Sequence, residues 1–263
     1  MNKKIIFFAV FGVLLFGGNI FAAYVGGPLK TVGQGKWDFT IASNSAGDRD
    51  LVSPASTNAA ITGVVEERNS LAGKVTYGIF NELDVYFKFG SSELEVDTRW
   101  PDGSRTKLKY DEANLFGGGV KYIYTFENDV LIGGDFQFAL QQGNEVREIT
   151  EGSIKAVITK KGEADLDEYQ LSFFCGKKYK VADNITLIPY TGILFNGVDF
   201  SSDQLEYNTW PWYYTITPFE LEQDDNFGLL IGGDIAINDR LFLSLEARFI
   251  ADEAISGSLS YRF

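Results

Sequence analysis

The sequence predicts an all-β protein: a closed antiparallel transmembrane β-barrel of about ten strands, with eight or twelve strands left open as alternatives. Three observations predict it. From about residue 33, stretches of ten or more residues alternate apolar and polar side chains, the period of a β-strand. Four very short turns fall at one end of these stretches and long polar segments at the other, near 44–68, 97–106, 143–163 and 198–225. The apolar face also carries aromatics at both ends. Tyr124, Tyr179, Tyr261 and Phe263 lie beside the short turns, and Phe89, Phe138, Tyr169, Phe227 and Phe249 beside the long loops. Two such girdles suit a wall that crosses a bilayer, not a sandwich in water.

Residues 1–23 read as a signal peptide and 24–263 as the barrel domain. MNKK is basic, IIFFAVFGVLLF is a compact apolar core, and GGNIFAA supplies small residues for cleavage after Ala23. An uncleaved anchor helix is the alternative. No later apolar run is long enough to cross a membrane as a helix.

Strands are predicted at residues 34–43, 69–80, 83–96, 107–126, 130–142, 165–181, 185–197, 226–237, 241–250 and 254–263. Most reach the roughly 9–11 residues that a tilted spanning strand needs. The short turns FNEL, FEND, VADN and INDR each carry Asn or Asp, which accept tight-turn backbone angles. The seventh strand, ITLIPYTGILFNG, is ambiguous in phase, and Pro189 removes a ladder donor from it. Mid-strand glycines in FGGGVKY, IGGDF and IGGDI allow coiling and relieve crowding inside a small barrel. LIGGDFQF and LIGGDIAI suggest similarity at the scale of a hairpin.

The inward face is expected to be charged and small, with Asp38, Lys74, Asp84, Lys88, Lys121 and Asp135 among its residues. Isolated buried charges are costly, so opposite signs should pair. At the closing seam Asp234, Glu246, Arg248 and Arg262 form a candidate lumen network, in which Arg248 can offer a carboxylate a planar fork. Eight strands leave room mostly for side chains and 16–18 leave an open channel. Ten should be largely filled, with at most a narrow route for ions or very small solutes. Cys175, the one cysteine, lies on the outward parity as an apolar filler.

A formal charge of −13 argues against a nucleic-acid partner. No motif asks for a cofactor or metal. The chain has no histidine, the side chain most often used for acid–base work near neutral pH, so a non-enzyme is expected. Trp210, Trp212, Tyr213 and Tyr214 lie close to Glu220, Glu222, Asp224 and Asp225 in the last long loop. They are candidates for recognition at the surface. The blander reading packs the aromatics across the barrel mouth and leaves the acids to solvate the loop. Those acids lack the ligand spacing of a cation-binding loop.

The terminal LSYRF, with Leu259, Tyr261 and Phe263 on one face, resembles the C-terminal insertion signal of small porin-like outer-membrane β-barrel proteins of Gram-negative bacteria. The hairpins YGIFNELDVYFKFG and IAINDRLFLSLEARF are similar to hairpins of that family, and the resemblance covers roughly residues 33–263. Gly257 departs from the alternation of the signal. The resemblance implies a bacterial outer-membrane location among lipid and lipopolysaccharide. It also implies insertion by the barrel-assembly machinery, which would read the C-terminal strand. A porin-like function is expected, with a plugged barrel in a structural or surface-binding role as the alternative, and the oligomeric state stays open. Ten strands also resemble the omptin-like surface proteases, whose chemistry uses histidine. If Phe263 is an assembly signal, deleting it should impair insertion in cells far more than refolding in detergent. Equal losses in the two assays would make it a stability residue instead.

Overall fold

Left-handed backbone closes two of the short hairpins. Asp129 in FEND has φ 64°, and Asn238 and Asp239 in INDR have φ 54° and 55°, a region that Asn and Asp tolerate better than most side chains. The structure, a computed structural model, describes residues 29, 31–47, 49–54, 61–250 and 253–263. The signal peptide and cleavage site expected at residues 1–23 lie outside the described residues.

All the regular structure described is strand: β1 (Trp37–Gly47), β2 (Arg49–Val52), β3 (Thr62–Gly78), β4 (Leu83–Arg99), β5 (Arg105–Thr125) and β6 (Val130–Glu151). Next come β7 (Ile154–Lys155), β8 (Val157–Lys160), β9 (Glu163–Lys177), β10 (Tyr179–Ala182), β11 (Ile185–Ser202) and β12 (Leu205–Thr209). The chain continues with β13 (Trp212–Ile216), β14 (Phe219–Gln223), β15 (Phe227–Ile237), β16 (Leu241–Phe249) and β17 (Glu253–Arg262). Counting β9 and β10 as one stave, ten antiparallel staves close the wall in the order β1, β3, β4, β5, β6, β9, β11, β15, β16, β17. The seam joins β17 to β1 from Asp38↔Arg262 to Gly47↔Glu253. The fold is thus a closed ten-stranded transmembrane barrel, as the sequence predicts.

The faces follow the alternation. Phe87, Phe89, Phe116 and Phe136 are exposed on the outside, whereas Asp84, Lys121, Asp135 and Asp234 are buried within. β11 resolves its phase by turning Ile188, Tyr190 and Leu194 inward and Leu187, Ile193 and Phe195 outward. The stave facing it is interrupted between β9 and β10 beside Pro189, which has no N–H to give.

Three expectations need correction. The long segments are not polar loops: β4 and β5 leave only residues 100–104 between them, and β6 runs on to Glu151. Part of the reason is bulges in three strands. β3 carries one extra residue between Val65 and Glu67, β5 one between Tyr110 and Ala113, and β6 two, between Gln141 and Asn144 and between Val146 and Glu148. Gly143, at φ 73°, occupies the first of the two in β6. An extra residue swaps the parity that points inward. Inward positions are Arg68 and Lys74 below the β3 bulge but Val65 and Ile61 above it. Alternation read straight through these sites breaks down and looks like loop.

The second correction concerns the long-loop end, the count of ten strands holding for the membrane section. Above the bulges β1, β15, β16 and β17 have ended, and the short β2 and β14 pair with each other instead, Val52 facing Glu222. β2 also pairs with β3, and β14 with β11. The wall therefore continues as a second closed ring of eight strands: β2, β3, β4, β5, β6, β9, β11 and β14.

The third concerns the interior, which is not charged and small throughout. Eight strands enclose a space that side chains can fill, and here Val65, Leu94, Val96, Leu108, Ile149, Leu166, Phe200 and Leu221 fill it as one apolar core. Each fully buried leucine of that core contributes about 1.5–3 kcal/mol. Outside the same ring runs a charged ladder, with Lys107 bridging Glu66 at 2.6 Å and Glu95 at 2.5 Å, and Arg105 meeting Asp97 at 2.6 Å. Polarity is thus inverted relative to the membrane section.

Cysteine scanning should read out the inversion. Cysteines at Phe87 and Phe89 should take a lipid-phase label and those at Tyr86 and Lys88 should not. On the upper ring, Lys107 and Lys109 positions should take an aqueous label while Leu94 and Val96 positions take neither. Aqueous labelling of Leu94 would contradict the filled ring.

Candidate functional site

Among the described residues, buried charged side chains converge in the lumen of the ten-stranded section. Its middle is built from hydrogen-bonded pairs. Tyr86 donates to Asp135 at 2.6 Å, Tyr190 donates to Glu246 at 3.0 Å, Lys88 donates to Gln137 and Arg248 to Gln170. Lys74 stands over the Tyr86 ring at 5.0 Å. Gln137, Gln170 and Asn196 face one another across β6, β9 and β11, forming a belt of amides. Higher up, Glu168 accepts from Arg49 at 3.1 Å and Arg68 at 2.6 Å, all three being buried.

Glycine makes the tyrosine contacts possible. A Cβ at Gly119 would lie 2.4 Å from the Tyr86 hydroxyl, and one at Gly232 would lie 2.3 Å from the Tyr190 ring. Each ring lies against the bare backbone of a facing strand, where its hydroxyl reaches a carboxylate. The paired segments LIGGD use the same layout. Leu131 and Leu230 point inward, Gly133 and Gly232 lie beneath Phe174 and Tyr190, and Asp135 and Asp234 point inward.

Described residues pack at both ends of this lumen. At the long-loop end the apolar core of the eight-stranded ring stands over it, with Gln141 donating to Asn144 at 2.6 Å and Asn144 to the Ala164 carbonyl at 2.8 Å beneath that core. At the short-turn end the segment before β1 crosses the mouth. The Leu29 N–H donates to Asp234 at 2.5 Å, the Val32 N–H to Asp84 at 3.1 Å, and the Thr31 hydroxyl to the Asn81 carbonyl at 2.6 Å. The Leu29 side chain is buried among Ile123, Leu131, Phe174, Ile188 and Leu230.

The four residues of the predicted seam network all lie buried in the lumen. Each also engages a partner outside the set: Asp234 holds Leu29, Glu246 holds Tyr190, Arg248 reaches Gln170, and Arg262 lies 3.8 Å from Asp38 with its guanidinium over Phe242 at 4.5 Å. Arg49 and Arg68 were missed because both fall in the segment that reads as a loop. Counting back in twos from Lys74 would have found Arg68. Nothing in the sequence around Leu29 marks it as a closure.

Leu259, Tyr261 and Phe263 are exposed on the outer face, and the Phe263 N–H donates to the Trp37 carbonyl at 3.0 Å. Trp210, Trp212, Tyr213 and Tyr214 do not pack across the mouth. They stand at the tip of the β12–β13 hairpin, 92%, 66%, 77% and 37% exposed, while Tyr207 and Phe219 of the same region supply the core. Cys175 is exposed on the outward face.

Electrostatics divide the outside of the upper ring. Burial opposes the charged form of Glu95, but hydrogen bonds from Lys107 and Lys109 outweigh it and hold the carboxyl below its ordinary value. Around β9, β11 and β14 the reverse holds. Burial, then Asp165 and Asp199, push the Asp167 carboxyl up. Asp165, Asp167, Asp199, Glu220 and Glu222 line a cleft of about 270 Å³ there.

No protein-family model matches the chain, and no curated protein does. Solved structures that it resembles are outer-membrane barrels. The outer membrane protease OmpT from Escherichia coli superposes with a TM-score of 0.51 and 10% identity, over 87% of this chain and 97% of that one. The translocator domain of the autotransporter NalP from Neisseria meningitidis gives 0.45 and 9%, over 99% and 94%. The outer membrane protein OprG from Pseudomonas aeruginosa gives 0.39 and 10%, over 89% and 99%. Of these, the OmpT likeness carries weight, and at that identity it shows the fold alone.

Removing one member of a buried ionic group leaves uncompensated charge. Glu168→Ala should therefore cost about 3–5 kcal/mol in urea unfolding of the refolded protein. Lys155→Ala, which breaks the exposed pair with Glu148, should leave the unfolding midpoint almost unchanged. Equal effects would mean that Glu168 does not hold the two arginines.

Proposed function

We propose that this chain is an integral protein of the bacterial outer membrane with a plugged barrel, and that its working surface is the eight-stranded extension beyond the membrane. The observation that carries this reading is the apolar core of the upper ring, which stands across the outer mouth of the polar lumen. A route for ions would have to pass apolar side chains packed at interior density, where a charge finds no partner. A porin-like channel is the weaker reading for that reason. The periplasmic segment around Leu29 adds a second closure in series.

On this reading the charges of the lumen serve structure. They satisfy one another in a bore too wide for a single apolar core, and they fix the register of the strands that carry them. The apolar belt meets outer-membrane lipid, the extension stands among lipopolysaccharide, and Leu259, Tyr261 and Phe263 serve the barrel-assembly machinery as the insertion signal. The reading is non-catalytic, in keeping with the lack of histidine.

Planar-bilayer recording tests it. The refolded protein should give no reproducible open level in symmetric salt. A stable single-channel level from the unmodified protein would restore the porin-like reading and remove the plugged one.

A further inference from the structure

Three carboxamides in the middle of the lumen carry polar atoms that no described residue satisfies. Gln137 on β6, Gln170 on β9 and Asn196 on β11 stand directly opposite one another on adjacent strands, and all point inward. They are 5%, 1% and 2% exposed. Inward side chains at facing positions have Cβ atoms about 4.5–5.5 Å apart, so the three amides are neighbours. The Nε2 of Gln137, the Nε2 of Gln170 and both amide atoms of Asn196 have no hydrogen-bond partner among the described residues. Buried donors left in this way are costly, and three on adjacent strands ask for a shared acceptor.

The orientation of the two glutamines is settled by their neighbours. Lysine and arginine can only donate, so the Gln137 atom that meets Lys88 and the Gln170 atom that meets Arg248 are oxygens. The arm left over on each glutamine is an NH2 group. Asn196 can turn its own NH2 the same way, since neither of its amide atoms is engaged among the described residues. The belt therefore offers donors.

Charge separates an anion from a water as the acceptor. Lys88 on β4 and Arg248 on β16 flank the belt from opposite sides, and both donate to these neutral oxygens. The inward cations of the lumen are Arg49, Arg68, Lys74, Lys88, Lys121, Arg248 and Arg262. Its inward carboxylates are Asp38, Asp84, Asp135, Glu168, Asp234 and Glu246. Seven cations against six carboxylates leave one positive charge over among the described residues, and a buried charge without its counter-charge is costly. One monovalent anion balances the sum. Amides as buried as these leave little room to a guest, which favours a monatomic ion over a phosphate or a carboxylate.

We propose that the amide belt binds one small monovalent anion, chloride or one of like size, with the NH2 groups of Gln137, Gln170 and Asn196 as its donors and Lys88 and Arg248 as its flanking charges. The ion ties β6, β9 and β11 together from within, and it supplies the negative charge that the carboxylates of the lumen leave wanting. The proposal goes beyond the plugged reading and does not need it.

The full chain is refolded, then unfolded with urea, in mixtures of sodium chloride and sodium gluconate at constant ionic strength. The midpoint should rise with chloride and saturate, as linkage to one site requires. Bromide should replace chloride, and gluconate, which is too large, should not. Crystals grown in bromide should show an anomalous peak between Gln137, Gln170 and Asn196. Gln170→Glu sets a carboxylate beside Arg248 in place of the ion. It should unfold in gluconate no earlier than the unmodified protein and should lose the halide response. Asn196→Leu should raise the chloride concentration for half the shift about tenfold. Equal midpoints in chloride and gluconate, a water in place of bromide at the belt, or an unchanged halide response in Gln170→Glu would overturn the proposal. If that variant does not refold, the bromide position in the unmodified protein decides. A barrel that conducts and keeps the halide response would sink the plugged reading and leave this site. A silent barrel indifferent to halide would do the opposite.

Discussion

Each long strand of this protein has to satisfy two surroundings with one backbone. In the membrane section the apolar side must face out, and beyond it the apolar side must face in. β4, β9 and β11 do both by keeping one parity inward and changing which residues occupy it. β3, β5 and β6 also carry extra residues, in bulges, that shift the parity at the level of the change. Below them the bore is wide, so polar pairs bridge it. Above them four staves have been exchanged for two short ones, and hydrocarbon fills the narrower space.

The membrane section was legible because period and chemistry agree there. Phe87 and Phe89 flank Lys88, and Leu243 and Leu245 flank Ser244, so the phase is unambiguous and the turns between strands carry the expected Asn and Asp. The upper ring was illegible for a stated reason. VVEER, YDEA and QQGN each insert a polar doublet into an alternating run, which looks like loop composition although it marks a bulge. Those doublets were the available signal. Pairing between β2 and β14 leaves no such trace, since it depends on four- and five-residue segments far apart in the chain.

The lumen contacts show the same division. That Asp234, Glu246, Arg248 and Arg262 point inward followed from parity alone, but their partners did not. Tyr190 reaches Glu246 because Gly232 leaves room for its ring, and Asp234 is held by a backbone amide from outside the wall. Parity assigns a face and says nothing about reach across a bore. Tyrosines lying on glycines supply that reach without moving the strands.

The seam between β2 and β14 also sets an order of events. β2 and β14 are far apart in the chain and meet over two residue pairs, where β1 and β17 meet over ten, so closure of the upper ring has few contacts to set against its loop entropy. The topology thus predicts two stages of folding, first the ten-stranded cylinder and then the narrower ring on top of it.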